Sequence, residues 1–511
     1  MKPGVLFNKV QVQAPNSNRF DLTHDVKQTM RGGELTPVLV MECVPGDKVT
    51  LGADMLIRLQ PMVAPVMHRM DAYIHYFFVP NRILWENWEP FITNRAIHAI
   101  PQIEVGAALT DEQERFLDYM GIPPFTGGGG TAININALPL AAYQKIYNEY
   151  YRDQNLVTEV VTDLTDGVNA VGGLATMRRR AFEHDYFTSA LPFAQKGSAV
   201  DIPLGDVKLK DDWATTGTGD PIFVDDPPTA LSGSLSQSAS QINVGATKPT
   251  AYDPQGTLET EPTTINDLRR AFKLQSFLEK LARGGSRYIE YLKTIFNVDS
   301  SNKALQRPQY ITGSKQPITI SEVLNTSGTF DPTTPTDPSS PVQGNMAGHG
   351  VSVSGGNMGS YYAEEHGYII GIMSILPKTA YQQGIPRTYL KADPLDFYIP
   401  DFAHIGEQEI ITAELMAYEA DQLDGWGYMP RYTEYKYFPS RVAGDFRSTL
   451  DHWTLGRIFA TKPTLSQEFI ECTPDDFDRI FAVTDGDPFL CQIVHKIMAN
   501  RKMPVFGTPM L

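Results

Sequence analysis

Hydrophobic and polar positions along the chain change their period several times, and the changes divide it into segments. Val38–Val44 and Val49–Gln60 are apolar-rich runs separated by Pro45-Gly46-Asp47, a turn-forming triplet, and together they predict a β-hairpin. From Asp71 to Pro80, Tyr73, His75, Phe77 and Val79 alternate with Ala72, Ile74, Tyr76 and Phe78. Both faces of that strand are apolar or aromatic, as in a strand packed between two layers. Asn81–Pro90 then places Trp85 and Trp88 three residues apart, enough to anchor a short helix.

Helical spacing takes over further on. Thr110 and Gln113 form a capping box ahead of Glu114–Met120, and Gly121 ends that helix before Pro123 and Pro124. Gly127–Gly130 make a flexible joint. Pro139–Gln154 carries Leu140, Tyr143, Tyr147 and Tyr150 on one helical face. The clearest helix is Asn266–Arg283, with Asn266 as its cap, an inner stripe of Leu268, Ala271, Phe272, Gln275, Leu278 and Ala282, and Gly284-Gly285 as its stop. Ser286 opens a second helix through Phe296.

Strand character returns at Gly367–Leu376, Tyr432–Phe438, Trp453–Ala460 and Phe489–Met498. Convincing strands therefore occupy the outer parts of the chain, mainly 36–80 and 365–500, and must pair with each other across a helix- and loop-rich middle. An antiparallel Greek-key sandwich permits this, whereas a row of sequential domains does not. The expected fold is mainly β: a single eight-stranded antiparallel jelly roll over residues 1–511, with helical and loop insertions at 81–199 and 263–325. Residues 200–262 hold ten acidic residues and three lysines among Ser, Thr, Gly and Pro, which predicts an exposed insertion loop. A second surface loop is expected over 326–360.

Composition narrows the function. The 41 Gly and 37 Pro suit a β body with elaborate loops, and a net charge of −16 argues against an outer surface that is basic throughout. Cys43, Cys472 and Cys491 lack metal-type spacing and read as reduced, structural thiols. The N-terminus lacks a secretory pattern and no apolar run is long enough to span a bilayer, so synthesis and assembly in a cytoplasm are expected. Phosphate-binding loop, His-Glu-x-x-His and Gly-x-Ser-x-Gly motifs are missing, so no catalytic residue is assigned and no enzyme is expected. No cofactor is expected; Asp475, Asp476 and Asp478, or Asp485 and Asp487, offer oxygens to a divalent cation such as calcium, but no motif indicates one and a solvated turn is the better account of them. His68 and His75 straddle a turn-to-strand boundary and read as core or surface histidines.

The basic residues carry more information. Arg269, Lys273, Lys280 and Arg283 fall within about 80° of one another at 100° per residue, opposite the apolar stripe. With Arg270, Arg287 and the run Arg178-Arg179-Arg180 they are the candidates for contact with nucleic-acid phosphates, set against the plainer reading of a solvated or ion-paired face. A jelly-roll carbohydrate-binding or hydrolytic protein is the alternative, although no pair of carboxylates stands out for acid and base work.

Asn18-Arg19-Phe20-Asp21-Leu22-Thr23-His24-Asp25, Leu35-Thr36-Pro37, Val44-Pro45-Gly46-Asp47, Phe77-Phe78-Val79-Pro80-Asn81-Arg82 and Trp85-Glu86-Asn87-Trp88 occur in an order and spacing similar to the microvirus major capsid proteins. Tyr186–Pro192, Asn266–Phe272, Gly284–Tyr288 and the ending Met503-Pro504-Val505-Phe506-Gly507 resemble the gokushovirus branch of that family. The resemblance lapses near 205–262 and 326–356. It implies a jelly roll assembled as pentamers into a T=1 icosahedral bacteriophage shell around a circular single-stranded DNA genome, located in the virion. It also implies a pilot protein, an internal scaffolding protein, a small basic DNA-binding protein and a host-cell receptor as partners. An insertion projecting at the threefold axes is expected to meet the host. Residues 200–262 are the candidate, with Asp211, Asp212, Trp213, Asp225 and Asp226 as attachment residues, and the 326–356 loop is the alternative.

Overall fold

The computed structural model describes residues 17–106, 109–125, 131–198, 200, 264–285, 287–302, 305–324, 346–483 and 486–506, together with four short strands between 207 and 260. The chain divides into a body, Met1–Ala194 with Leu281–Leu511, and a smaller unit, Gln195–Lys280.

The body is built on one large antiparallel sheet. Its strands are β1 (Asn18–Asp21), β2 (His24–Met30), β3 (Thr36–Cys43), β4 (Lys48–Leu59), β5 (Met70–Pro80), β6 (Gln309–Leu324), β7 (Met346–Gly355), β8 (Gly359–Tyr362), β9 (Gly367–Pro377) and β10 (Phe489–Arg501). β1 and β2 lie end to end along one edge of β10, and β7 and β8 lie end to end along β4. The ten strands therefore make eight rows, in the order β1/β2, β10, β4, β7/β8, β6, β5, β9, β3. The first and last rows are consecutive in sequence, joined only by Arg31–Leu35. Five linking residues reach about 20 Å at most, so the sheet has to curl until its two edges approach each other. Between them runs a groove of about 1390 Å³ lined by β2, β3, β10 and the helix at 111–119.

Two apolar layers explain why β5 and β9 are apolar on both faces. Ile74, Tyr76 and Phe78, with Ile369 and Met373, face the interior of the curled sheet beside Met55, Ile57, Ile493 and Ile497. Phe77, Val79, Ile370 and Ile372 face outward, where Trp85, Phe116, Leu138, Tyr143 and Ile146 cover them. That outer layer belongs to α1 (Trp88–Ile92), α2 (Asp111–Tyr119) and α3 (Leu138–Ile146), with α2 started by the expected Thr110 and Gln113 capping box. Gly121, at φ +93°, ends it.

Several expectations need correction. Pro45-Gly46-Asp47 turns the chain, but β3 and β4 never pair; they stand in opposite halves of the sheet. The turn is a corner, held by Asp47, whose carboxylate accepts from the Val44 amide at 3.0 Å and meets Arg501 at 3.1 Å. Residues 309–324 and 346–355 were expected in an insertion and a loop, yet both are main-sheet strands; their Ser, Thr and Gly content conceals half-buried alternation such as Ile318 and Ser352 facing the interior. Tyr432–Phe438 is no strand: Tyr432 has φ +64° and a 3-10 turn, Thr433–Tyr435, follows it. Trp453–Ala460 leaves a 3-10 turn and makes only an isolated bridge from Arg457 to Tyr381. Aromatic and β-branched residues there gave strand-like composition without a neighbour to pair with.

α4 (Ile265–Gly284) and α5 (Tyr288–Phe296) keep nearly their predicted extents, but the expected inner stripe of α4 is not a buried one, with Phe272 61 % exposed and only Ala282 buried, and Thr264 caps α4 in place of Asn266, its Oγ1 accepting from the Asp267 amide at 3.2 Å. In the smaller unit, Val207–Leu209 pairs with Leu258–Thr260, and Ser236–Ser238 with Gln241–Asn243. The expected joint at Gly127–Gly130 and the helix start at Ser286 lie outside the described residues. Among the described residues no helix is long and apolar enough to cross a membrane.

Candidate functional surfaces

The five basic candidates in the body do not form one patch. Backbone bonds from Leu35 N to Arg178 O and from Arg180 N to Gly33 O, both 2.8 Å, extend residues 178–180 beside the 31–35 link, so alternate side chains point opposite ways. Arg178 is spent internally, donating to Gln144 Oε1 at 2.7 Å and to the Gly173 carbonyl at 3.1 Å. Arg179 is exposed. Arg180 donates to Ser374 Oγ at 2.8 Å and lies over the Tyr73 ring at 3.9 Å. Arg283 is paired with Glu407, and Arg287 with Glu290 at 3.2 Å and the carbonyls of Asn148 and Arg152. Arg269, Arg270, Lys273 and Lys280 are exposed on α4. Asp211, Asp212, Trp213, Asp225 and Asp226 lie outside the described residues.

Arg180 borders a cavity of about 380 Å³ that the sequence pattern did not single out. After α3 the helix widens into a π turn, Tyr147–Tyr151, which brings the consecutive Tyr150 and Tyr151 to the same wall. Such turns are frequent at functional sites. Phe77 of β5 stands behind Tyr150 at 4.8 Å between ring centres and behind Tyr310 of β6 at 5.5 Å. His75 stacks on Tyr151 at 6.0 Å, and its Nδ1 bonds the Tyr151 hydroxyl at 2.8 Å. Burial, with the nearby Arg180 charge, lowers the His75 pKa to about 4, so its ring is neutral at pH 7.

The charge around this cavity is unbalanced. Glu183, on its rim, is taken by Lys315 at 2.6 Å, by Lys378 and by the Tyr73 hydroxyl. Asp71 is shared by Lys315 at 3.0 Å and Arg69 at 3.6 Å. Of the two charged residues that line the cavity, Glu183 is thus neutralised by lysines, while Arg180 has no carboxylate within ion-pair distance among the described residues. The consecutive Tyr150-Tyr151 pair was the available signal, masked because Tyr150 also fits a helical core stripe and the arginine run lies 27 residues further along the chain.

A third surface is apolar. Tyr389, Tyr418 and Phe438 are 77 %, 89 % and 82 % exposed, and Leu395, Phe397, Tyr398, Ile405 and Leu423 are each more than half exposed. Of these, Tyr398 packs on the buried Tyr432 at 5.1 Å and on Tyr435 at 6.2 Å, with Lys391 Nζ 4.0 Å from the Tyr435 ring centre.

Among the described residues no three His, Cys, Asp or Glu side chains converge as ligands. Asp476 caps its own turn at Thr473, and Asp487 is engaged by Arg31, Arg115, Thr29 and Tyr119. Cys43, Cys472 and Cys491 are buried free thiols, and burial pushes Cys43 and Cys491 up to about 12. His68 bonds the Lys378 carbonyl at 2.5 Å.

Residues 8–511 match the family model described as capsid protein (F protein). Capsid protein VP1 of Bdellovibrio phage phiMH2K is 36 % identical, covering 96 % of this chain and 95 % of its own length. Capsid protein VP1 of Chlamydia phage 1 is 32 % identical, covering 98 % and 97 %, and that of Spiroplasma virus 4 is 28 % identical, covering 96 % and 95 %. With a mainly β body, a structural role and a match that runs through both units, the chain belongs to the capsid protein (F protein) family of phages.

Proposed function

We propose that the chain assembles into pentamers and a T=1 icosahedral shell that encloses a circular single-stranded DNA genome, without enzymatic activity of its own. The observation that supports self-assembly is the number of large apolar side chains left exposed between Tyr389 and Phe438, Tyr418 and Phe438 most of all. Exposed apolar and aromatic side chains of this kind are what subunit interfaces cover, and aromatic residues are enriched in interface centres. In this reading a neighbouring copy covers them. The exposed basic face of α4 meets DNA phosphates, and the acidic 200–262 segment is the host-attaching protrusion at the threefold axes. Pilot, scaffolding and small DNA-binding proteins complete the particle, which assembles in the host cytoplasm.

Negative-stain microscopy with sedimentation tests the assembly. Uniform shells or pentamers are expected for the natural chain, with a shift toward monomers for Tyr418→Ser with Phe438→Ser. A natural chain that remains monomeric under assembly conditions overturns the proposal. Reversing charge at Arg269, Lys273 and Lys280 is expected to lower genome retention. Deleting 210–258 is expected to leave pentamers intact and impair attachment.

A further inference from the structure

We propose that the cavity between Tyr150, Tyr151, Tyr310, His75 and Arg180 takes one unpaired nucleotide of single-stranded DNA, its base among the rings and its phosphate on the Arg180 guanidinium. The inference rests on the proposed enclosure of single-stranded DNA, and assigns it a binding site apart from the α4 basic face.

Four features converge on this ligand. The walls are aromatic, and base stacking on such rings binds every base because every base has a π face. Tyr310 is 48 % exposed and His184 is exposed at the rim, so the cavity is reached from solvent. Arg180 supplies a cation, and the acid that shares the lining, Glu183, is already held by two lysines, which leaves the guanidinium for a phosphate. The volume, about 380 Å³, lies at the small end of pockets that hold compact ligands.

The lining also predicts selectivity. Among the described residues no Asn or Gln side chain lines the cavity, so base edges find few fixed hydrogen-bonding partners. Discrimination then falls between single and double strands and not between sequences, since a paired base cannot leave its stack without cost.

The test uses the full chain as pentamers or emptied shells, with fluorescent oligothymidylate, oligodeoxyadenylate and a duplex as probes. Both single strands are expected to bind within a few-fold of each other and more tightly than the duplex. Tyr310→Ala is expected to weaken binding about ten-fold, with Tyr310→Phe restoring it. Arg180→Gln is expected to reduce the slope of log affinity against log salt by about 0.7. Photo-crosslinking of a bromouracil-substituted strand is expected to mark Tyr310, Tyr150 or His184. Crosslinks confined to α4, unchanged affinity in Tyr310→Ala, or duplex binding as tight as single-strand binding overturns the pocket and leaves DNA enclosure standing; no single-strand binding by the natural chain overturns both.

Discussion

Arg115 on α2 holds both carboxylate oxygens of Glu34, at 2.9 and 2.8 Å, across a separation of 81 residues. Glu34 lies in the short link between the two edge rows of the sheet, and the same guanidinium reaches Asp487 Oδ1 at 3.4 Å just before β10. One side chain from the helical insertion therefore ties down the place where the curled sheet nearly closes. Arg115→Met leaves Glu34, only 6 % exposed, without its cation, and is expected to cost about 3 kcal/mol in chemical denaturation. A loss below about 1 kcal/mol contradicts the pinning role.

Acid stability is expected to fall in two stages. His495 accepts from Tyr76 at 2.9 Å and donates Nε2–H to the Val38 carbonyl at 2.9 Å, and burial lowers its pKa to about 4. The unfolded chain binds this proton first, near pH 6.5, so stability declines as pH falls from there to about 4, by on the order of 3 kcal/mol for this group. His75, also near 4, acts in the same sense. Burial alone raises the Asp487 carboxyl, yet bonds from Thr29 and Tyr119 and the charges of Arg115 and Arg31 hold it below the usual range. Its contribution is present above the unfolded carboxyl value near 3.9 and is lost below it. Urea midpoints between pH 7 and 3 check both stages, and a flat profile from pH 6.5 to 4 contradicts the first.

Tyr143→Phe removes a hydroxyl that donates to the Leu35 carbonyl at 2.7 Å and accepts from the Arg178 amide at 3.0 Å. Both partners become orphaned in a dry layer, so a loss of about 1–3 kcal/mol is expected from denaturant titration.

Gly33, at φ +77°, bends the link so that its amide donates to Ile375 and its carbonyl accepts from Arg180. An added Cβ would overlap the Cys472 carbonyl. Gly33→Ala is expected to cost about 2–4 kcal/mol, read as a lowered melting temperature. Substituting the solvent-facing Gly121, whose Cβ would meet nothing, is expected to cost less.

Legibility in the sequence followed burial. β5 and β9 were readable because both faces are apolar, a pattern surface segments do not make. β6 was not, since Thr, Ser, Gln and Pro317 interrupt a strand that is half wet and bends between two neighbours. Pro45-Gly46-Asp47 announced a reversal truthfully, but turn chemistry says nothing of which strand lies alongside. The arginine run Arg178–Arg180 shows the same limit for the sites: charge is visible in sequence, while the Gln144, Ser374 and Tyr73 contacts that absorb it come from distant segments. The aromatic cavity needed β5, β6, the π turn and the arginine loop together.

The placement of β10 between β4 and the β1/β2 row also bears on synthesis. A nascent chain that has reached residue 480 already holds both neighbours, made more than four hundred residues earlier, but not the strand that joins them. Its first strands must wait without their hydrogen-bonding partner, with unpaired edges open to wrong partners until that late segment leaves the ribosome. Closure of the sheet thus depends on completed synthesis: a chain terminated before β10 lacks the row that joins β4 to the β1/β2 edge.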